Sequence, residues 1–427
     1  MHPAATIRGV REAARDRARP AALALRCTLF GVALLPFAAS LDYGLDTRLF
    51  RLLPPVLLGV ATVCVGMGLR GRLPRPSPID AAVLALIVCS ALSAAHAVVN
   101  LERSALAQTV GFAAVAGHAI FFWLGRQLGE LRAILRVFVL AMLVAGLAGL
   151  AQRVLLDVGI CTATSEIPAR LENRCLVGGA LTYAPELGRI RLPGTAASPW
   201  HWSWLLVAGA ACAAALLSDG SLRWRRLGIA ALVTLLACSF VSGQRVALVL
   251  VPLVAAAASL WALGITSRRL ARAGLVALGL ALLALMMPAG RAALADLGDR
   301  WRAAPPPQFV VEQWRWAVRE RPGWLGYGPG SATSAARHFE GIVLIESVPA
   351  KRLYEGGWLG AGAWVVVVGA LLVSILRRWA DLGRAERAVS VYVLLLAVMP
   401  WWYPTDTDPG NLLFWLLAGM LQRTPAA

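Results

Sequence analysis

The sequence predicts an all-helical polytopic membrane protein with about twelve transmembrane helices. Three observations lead there. The 427 residues are 59% hydrophobic and only 15% charged, far more apolar than a soluble chain of this length. The apolar residues gather into runs near the roughly 20 residues needed to cross a hydrocarbon core. No run alternates with the period of two that a membrane β-barrel demands, so helices must satisfy the backbone. The formal charge of +18 does not point to nucleic acid, because the arginines fall between apolar runs and are unevenly distributed.

Residues 1–21 form a basic tail carrying Arg8, Arg11, Arg15, Arg17 and Arg19, which the positive-inside rule holds in the cytoplasm. Residues 22–152 supply helices one to five, at 22–40, 52–69, 79–99, 108–125 and 131–152. Residues 153–198 are a long outer loop. Helices six to nine follow within 199–288, at 199–217, 227–241, 245–265 and 271–288. A second outer loop covers 289–356, and 357–422 holds helices ten to twelve at 357–376, 388–402 and 410–422. Residues 423–427 return to the cytoplasm. This count makes every short inner connection basic: Arg70, Arg72 and Arg75; Arg126 and Arg132; Arg223, Arg225 and Arg226; Arg268, Arg269 and Arg272; Arg377, Arg378, Arg384 and Arg387; and Arg423. One helix more or fewer would invert half of that pattern, so its regularity favours both termini inside. The first apolar run lacks a clear cleavage site and reads as a span rather than a signal peptide.

Cys27, Cys64, Cys89, Cys212 and Cys238 fall within spans and read as small buried hydrophobes. Cys161 and Cys175 share the first outer loop, where an oxidising compartment would suit a disulfide.

Ionisable groups at a membrane rim are costly to desolvate and are therefore candidates for function. Arg191 stands in Arg189-Ile190-Arg191-Leu192-Pro193-Gly194, just ahead of the sixth span. Arg245 follows Ser242-Gly243-Gln244 in a turn so tight that spans seven and eight form an outward-pointing hairpin. Guanidinium forks suit phosphate, and two of them at the outer face can hold a lipid diphosphate without a metal or other cofactor. The competing role is a snorkelling arginine satisfied by headgroups. In the second loop, Glu346 and His338 are rival general bases. The run Arg321-Pro322-Gly323-Trp324-Leu325-Gly326-Tyr327-Gly328-Pro329-Gly330 permits close backbone approach to a ligand but lacks the Gly-Lys-Ser/Thr ending of a phosphate loop. Trp314 and Trp324 offer flat faces for sugar rings, while most of the sixteen tryptophans suit an interfacial belt. Asp406-Thr407-Asp408, within a Pro- and Gly-bounded string, reads as turn chemistry in preference to a cation site.

The region 185–423 resembles the O-antigen ligase and polymerase family of bacterial envelope polysaccharide synthesis. The likeness rests on Arg191 to Gly194 before a helix, the Ser242-Gly243-Gln244-Arg245 turn, and the Trp314 to Gly330 segment. Glu355, Gly357 and Gly360 at the head of a late helix, and the closing Phe414-Trp415-Leu416-Leu417-Ala418-Gly419, complete it. The resemblance implies a metal-independent glycosyltransferase of the bacterial inner membrane, working at its periplasmic face on a polyprenyl diphosphate-linked glycan. Arg191 and Arg245 would hold the diphosphate, the acceptor would be another glycan or lipid A core, and other polysaccharide assembly proteins are implied partners. Ligases of the family place a His-Asn pair where this chain has Glu346-Ser347, a departure closer to the polymerases. Apart from the family, sugar transfer from a lipid diphosphate needs a base for the acceptor hydroxyl and cations for the departing phosphate, with inversion by single displacement.

A secondary transporter also fits about twelve spans, but it calls for repeat symmetry, a long inner link between halves and midplane binding groups. This chain has a short inner link at 218–226 and unequal outer loops. A lipid-linked glycan flippase would need its cations in an internal cavity, whereas the candidates here cluster at the outer rim.

Overall fold

The computed structural model describes residues 20–45, 49–69, 76–160, 162–163, 171–172, 183–184, 189–190, 192–264, 295, 298–299, 301–302, 305–333, 336, 339–399 and 410–423. In chain order the helices are α1 (Pro20–Leu34), α2 (Ala38–Gly44), α3 (Leu53–Leu69), α4 (Pro78–Asn100), α5 (Ala105–Val115), α6 (Phe121–Leu128), α7 (Leu131–Asp157), α8 (Pro199–Leu216), α9 (Leu222–Val241) and α10 (Arg245–Leu263). They continue with α11 (Pro306–Arg319), α12 (Val348–Arg377), α13 (Arg384–Val398) and α14 (Gly410–Met420). Beyond the end of α7, the described residues of the first long loop include two antiparallel ladders of two-residue strands, Thr162–Ala163 with Leu171–Glu172 and Tyr183–Ala184 with Arg189–Ile190.

Six helical stretches among the described residues are long and apolar enough to cross a membrane: α4, α5 with α6, α7, α9, α10 and α12. They leave large apolar side chains exposed in stripes, such as Leu84, Val88 and Leu92 on α4, Leu140, Val144 and Leu147 on α7, and Val365, Val366 and Val373 on α12. Stripes of this size at helical spacing are the face a helix turns to lipid. The chain is a helical membrane-embedded protein. The expected run at 271–288 lies outside the described residues. The runs expected at 388–402 and 410–422 form helices of 15 and 11 residues, and residues 400–409 between them lie outside the described residues. Every residue of α14 is buried, as is nearly all of α8, so these two are the helices the others surround. Close approach makes this possible: a Cβ at Gly125 would strike the Leu416 carbonyl, and one at Gly419 the Phe122 carbonyl.

Helix ends are tied by polar contacts. At one end Asp80, in a capping box with Ser77, pairs with Arg126 and accepts from Trp123 Nε1 at 3.0 Å. Arg136 grips Asp219 through two nitrogens, and Arg423 donates to the Gly129 carbonyl. At the other end Ser40 donates to the Thr195 carbonyl at 2.7 Å, and Arg103 pairs with Glu340 at 2.7 Å.

Three runs depart from the expected spans, the one at 22–40 dividing into α1 and α2. The run at 108–125 is interrupted by a 3₁₀ turn, Gly117–Ile120, between α5 and α6. The run expected to begin at 357 already turns helical at Val348, and Gly357 breaks it with φ 62° and ψ −164°. That conformation is open only to glycine, and a Cβ there would collide with Trp324 and Gly326. The 323–333 segment passes through the break and completes it. Tyr327 N donates to the Tyr354 carbonyl and Gly328 N to that of Glu355, both at 2.9 Å, while Trp358 N and Leu359 N donate to Gly323 and Trp324. Ser93 on α4 donates to the Glu355 carbonyl at 2.6 Å. The Glu355 carboxylate then accepts from Ala332 N at 3.0 Å and Thr333 Oγ1 at 2.8 Å, and Gln108 accepts from Gly330 N at 3.1 Å. The close approach that the glycines of 321–330 permit is thus to the chain's own backbone.

Gly357→Ala places a residue in backbone space that costs about 1–3 kcal/mol before any collision is counted. The thermal midpoint of the purified variant in detergent should fall by several degrees; an unchanged midpoint would contradict the seam.

Candidate functional site

Four segments far apart in sequence meet at the end of the bundle that holds the Arg103–Glu340 pair. The first precedes α8, whose N-cap Ser198 accepts from His201 N. Upstream of it, Leu192 N donates to the Ser242 carbonyl at 3.1 Å. The second is the α9–α10 hairpin, turned by Gly243 at φ 67°, with Gln244 as N-cap and Arg245 as the first residue of α10. The third is α11, whose Gln313 side-chain oxygen accepts from Glu346 N at 2.9 Å and Ser347 N at 2.7 Å. The fourth is the Glu346-Ser347 pair itself, with Ser347 the N-cap of α12.

Electrostatics join the second and fourth segments. Burial pushes the Glu346 carboxyl above its usual range, and the nearby Arg245 guanidinium works in the opposite direction. A half-desolvated carboxylate beside a fixed cation is chemically versatile. It can take a proton from a hydroxyl more readily than an exposed glutamate, and the cation can meet an anion. The two sequence candidates Glu346 and Arg245 are therefore neighbours.

The other candidates stand differently. Arg191, His338, Cys161, Cys175, Asp406 and Asp408 lie outside the described residues. Leu192, next to Arg191 in sequence, is bonded to the hairpin that carries Arg245. Trp314 sits edge to face on Trp358 with ring centroids 6.2 Å apart, in a small aromatic cluster where Tyr354 meets Trp316 and Tyr327. Trp324 is 70% exposed and leaves its ring open. The five cysteines expected within spans are free thiols.

Sequence reasoning missed Gln313 as the residue that holds Glu346. It also missed the buried set Lys351, Arg352 and Glu355 on the first half of α12. Arg352 lies over the Trp364 ring at 4.5 Å and, with Glu355, Ser90 and Ser93, lines a small cavity between α4 and α12. The signal available was Lys351, the only lysine in the chain, one helical turn before Glu355. Placing 348–356 in a loop hid that spacing.

No protein-family model matches the chain, and curated proteins give no significant match.

Because Arg245 opposes the effect of burial, its loss should move the Glu346 ionisation to higher pH. Infrared difference titration against Glu346→Gln measures this directly: the carboxylate band should appear at higher pH in Arg245→Gln than in the parent, and stay near the parent position in Arg245→Lys. An unmoved band in Arg245→Gln would mean that the two groups do not interact.

Proposed function

We propose that the chain is a membrane glycosyltransferase of the O-antigen ligase and polymerase type, elongating or transferring a glycan carried on a polyprenyl diphosphate. The observation that carries this reading is the neighbourhood of Glu346 and Arg245 at a helical hairpin tip, to which Leu192 is bonded. In this reading Arg245 and Arg191 neutralise the diphosphate, and Glu346 removes the acceptor proton as the hydroxyl attacks the anomeric carbon. Electrons of the breaking glycosidic bond pass to the phosphate, whose growing charge the guanidinium groups offset. His338 is the second candidate base. One carboxylate at the attack site suits inversion by single displacement, and no metal is called for when two arginines serve the phosphates.

The topology proposed with it has twelve spans, both termini in the cytoplasm and the site on the periplasmic face of a bacterial inner membrane. The grouping of polar ties supports that sidedness. Asp80 with Arg126, Arg136 with Asp219, and Arg423 with Gly129 join connections counted as inner. Ser40 with Thr195, Leu192 with Ser242, and Arg103 with Glu340 join connections counted as outer. Glu346 in place of the ligases' His favours polymerisation over transfer to lipid A core.

The surface glycan profile of a strain lacking this protein, resupplied with variants, tests the reading. Arg245→Ala and Arg191→Ala should each reduce the strain to single-repeat products while protein abundance in the membrane stays at the parent level. Lipid-linked polymer that never reaches its acceptor would mark a ligase. An unchanged profile together with a defect in uptake of a small solute would replace the enzyme with a transporter.

A further inference from the structure

Helix α11 leaves apolar side chains in the open. Val311 is 45% and Val318 39% exposed, and at this spacing the two valines share a face with Arg315, which is exposed as well. Other sides of the helix are already occupied: Ala317 is buried, Trp316 rests 5.2 Å from Tyr354, and Trp314, on the flank beside the valines, meets Trp358.

The height of this helix follows from α12. Counted back from Arg377 at 1.5 Å per residue, a hydrocarbon core of about 30 Å ends near residue 357. Trp358 therefore stands at the boundary, where tryptophan is favoured. Trp358 and Leu359 are both exposed, and the stripe continues down α12 to Val365 and Val366. Leu359 N also donates to the Trp324 carbonyl, so the widely exposed Trp324 belongs to the same level. The lipid-facing stripe of α12 thus leads, through the Trp358–Trp314 contact, up to the helix carrying Val311 and Val318. Arg315, Arg319 and Arg321 are exposed around it.

We propose that α11 docks on the lipid surface at this end of the bundle. Val311, Val318 and Trp324 enter the boundary between headgroups and acyl chains, and Arg315 and Arg319 meet lipid phosphates. A protein partner fits the surface less well: two valines and one tryptophan fall short of the ~800 Å² per partner that a standard interface buries. Docking has a consequence for Glu346. Gln313 lies on the same helix and holds the Glu346 backbone, so the membrane surface sets the carboxylate at the depth of lipid phosphates. That consequence rests on the proposed function, whereas the docking does not.

Photocrosslinking of the full-length chain separates the two. Val318→p-benzoylphenylalanine and, as a control on the far side, Glu320→p-benzoylphenylalanine are placed in vesicles of phosphatidylethanolamine and phosphatidylglycerol, irradiated, and read by intact mass. Lipid adducts several-fold more abundant at position 318 than at 320 are expected. Equal adducts at both positions, no lipid adduct at 318, or a crosslink at 318 to a second copy of the chain would each overturn the docking. The readout needs no turnover. Arg245→Ala should leave the adducts unchanged even where it stops polymer assembly.

Discussion

A backbone that leaves its helix where protein covers it must find hydrogen-bond partners within the protein, and the buried break in α12 at Gly357 imposes that requirement on everything near the site. Glu355, whose carbonyl accepts from the Ser93 hydroxyl, is 3% exposed, and Gly357 is buried as well. Covered in this way, the broken turn cannot be completed by bulk water. The 323–333 segment does so instead, with four backbone bonds across the break and the Glu355 carboxylate accepting two more from Ala332 and Thr333. Glu355 is a hub, because its carbonyl and its side chain anchor opposite sides of the same crossing.

The seam in turn positions the candidate site. By redirecting α12, the break gives Val348–Gly356 a course of its own and brings Ser347 and Glu346 under α11. Gln313 then holds two consecutive amides with one oxygen, which restricts the Glu346 backbone far more than a single bond would. The hairpin tip supplies Arg245 from another part of the chain. Its cation and the burial of Glu346 act in opposite directions on one carboxyl, a balance that leaves the group responsive to an incoming anion. A diphosphate bound at Arg245 would weaken the cation's hold and make the carboxylate a stronger base as substrate arrives.

Much of this was legible in the sequence, and the exceptions share a cause. Apolar run length and arginine spacing located α4, α7, α9 and α10, since each buries one face and turns the other to lipid. The tight Ser242-Gly243-Gln244 turn gave the hairpin and placed Arg245 at its tip. Hidden from such reading were the features in which polar residues enter the protein interior. Lys351, Arg352 and Glu355 look like loop residues until the loop is seen to fold back against α4. The glycines of 321–330 signalled close approach to a ligand, whereas Gly326 meets the backbone of Glu355 and Gly357, Gly328 the Gln108 side chain and Gly330 the Ala107 backbone. Likewise α8 and α14 are enclosed by neighbouring helices, and hydropathy does not register protein neighbours.

Reconstitution tests the central claim most directly. The purified chain in vesicles, supplied with a synthetic polyprenyl diphosphate-linked repeat unit and a metal chelator, should build oligomers that grow with time and release the polyprenyl diphosphate in step with each added unit. Glu346→Gln should stop growth while the lipid-linked donor still binds. Elongation that continues in Glu346→Gln, or that stops when the chelator is added, would contradict a carboxylate base and arginine-held phosphates.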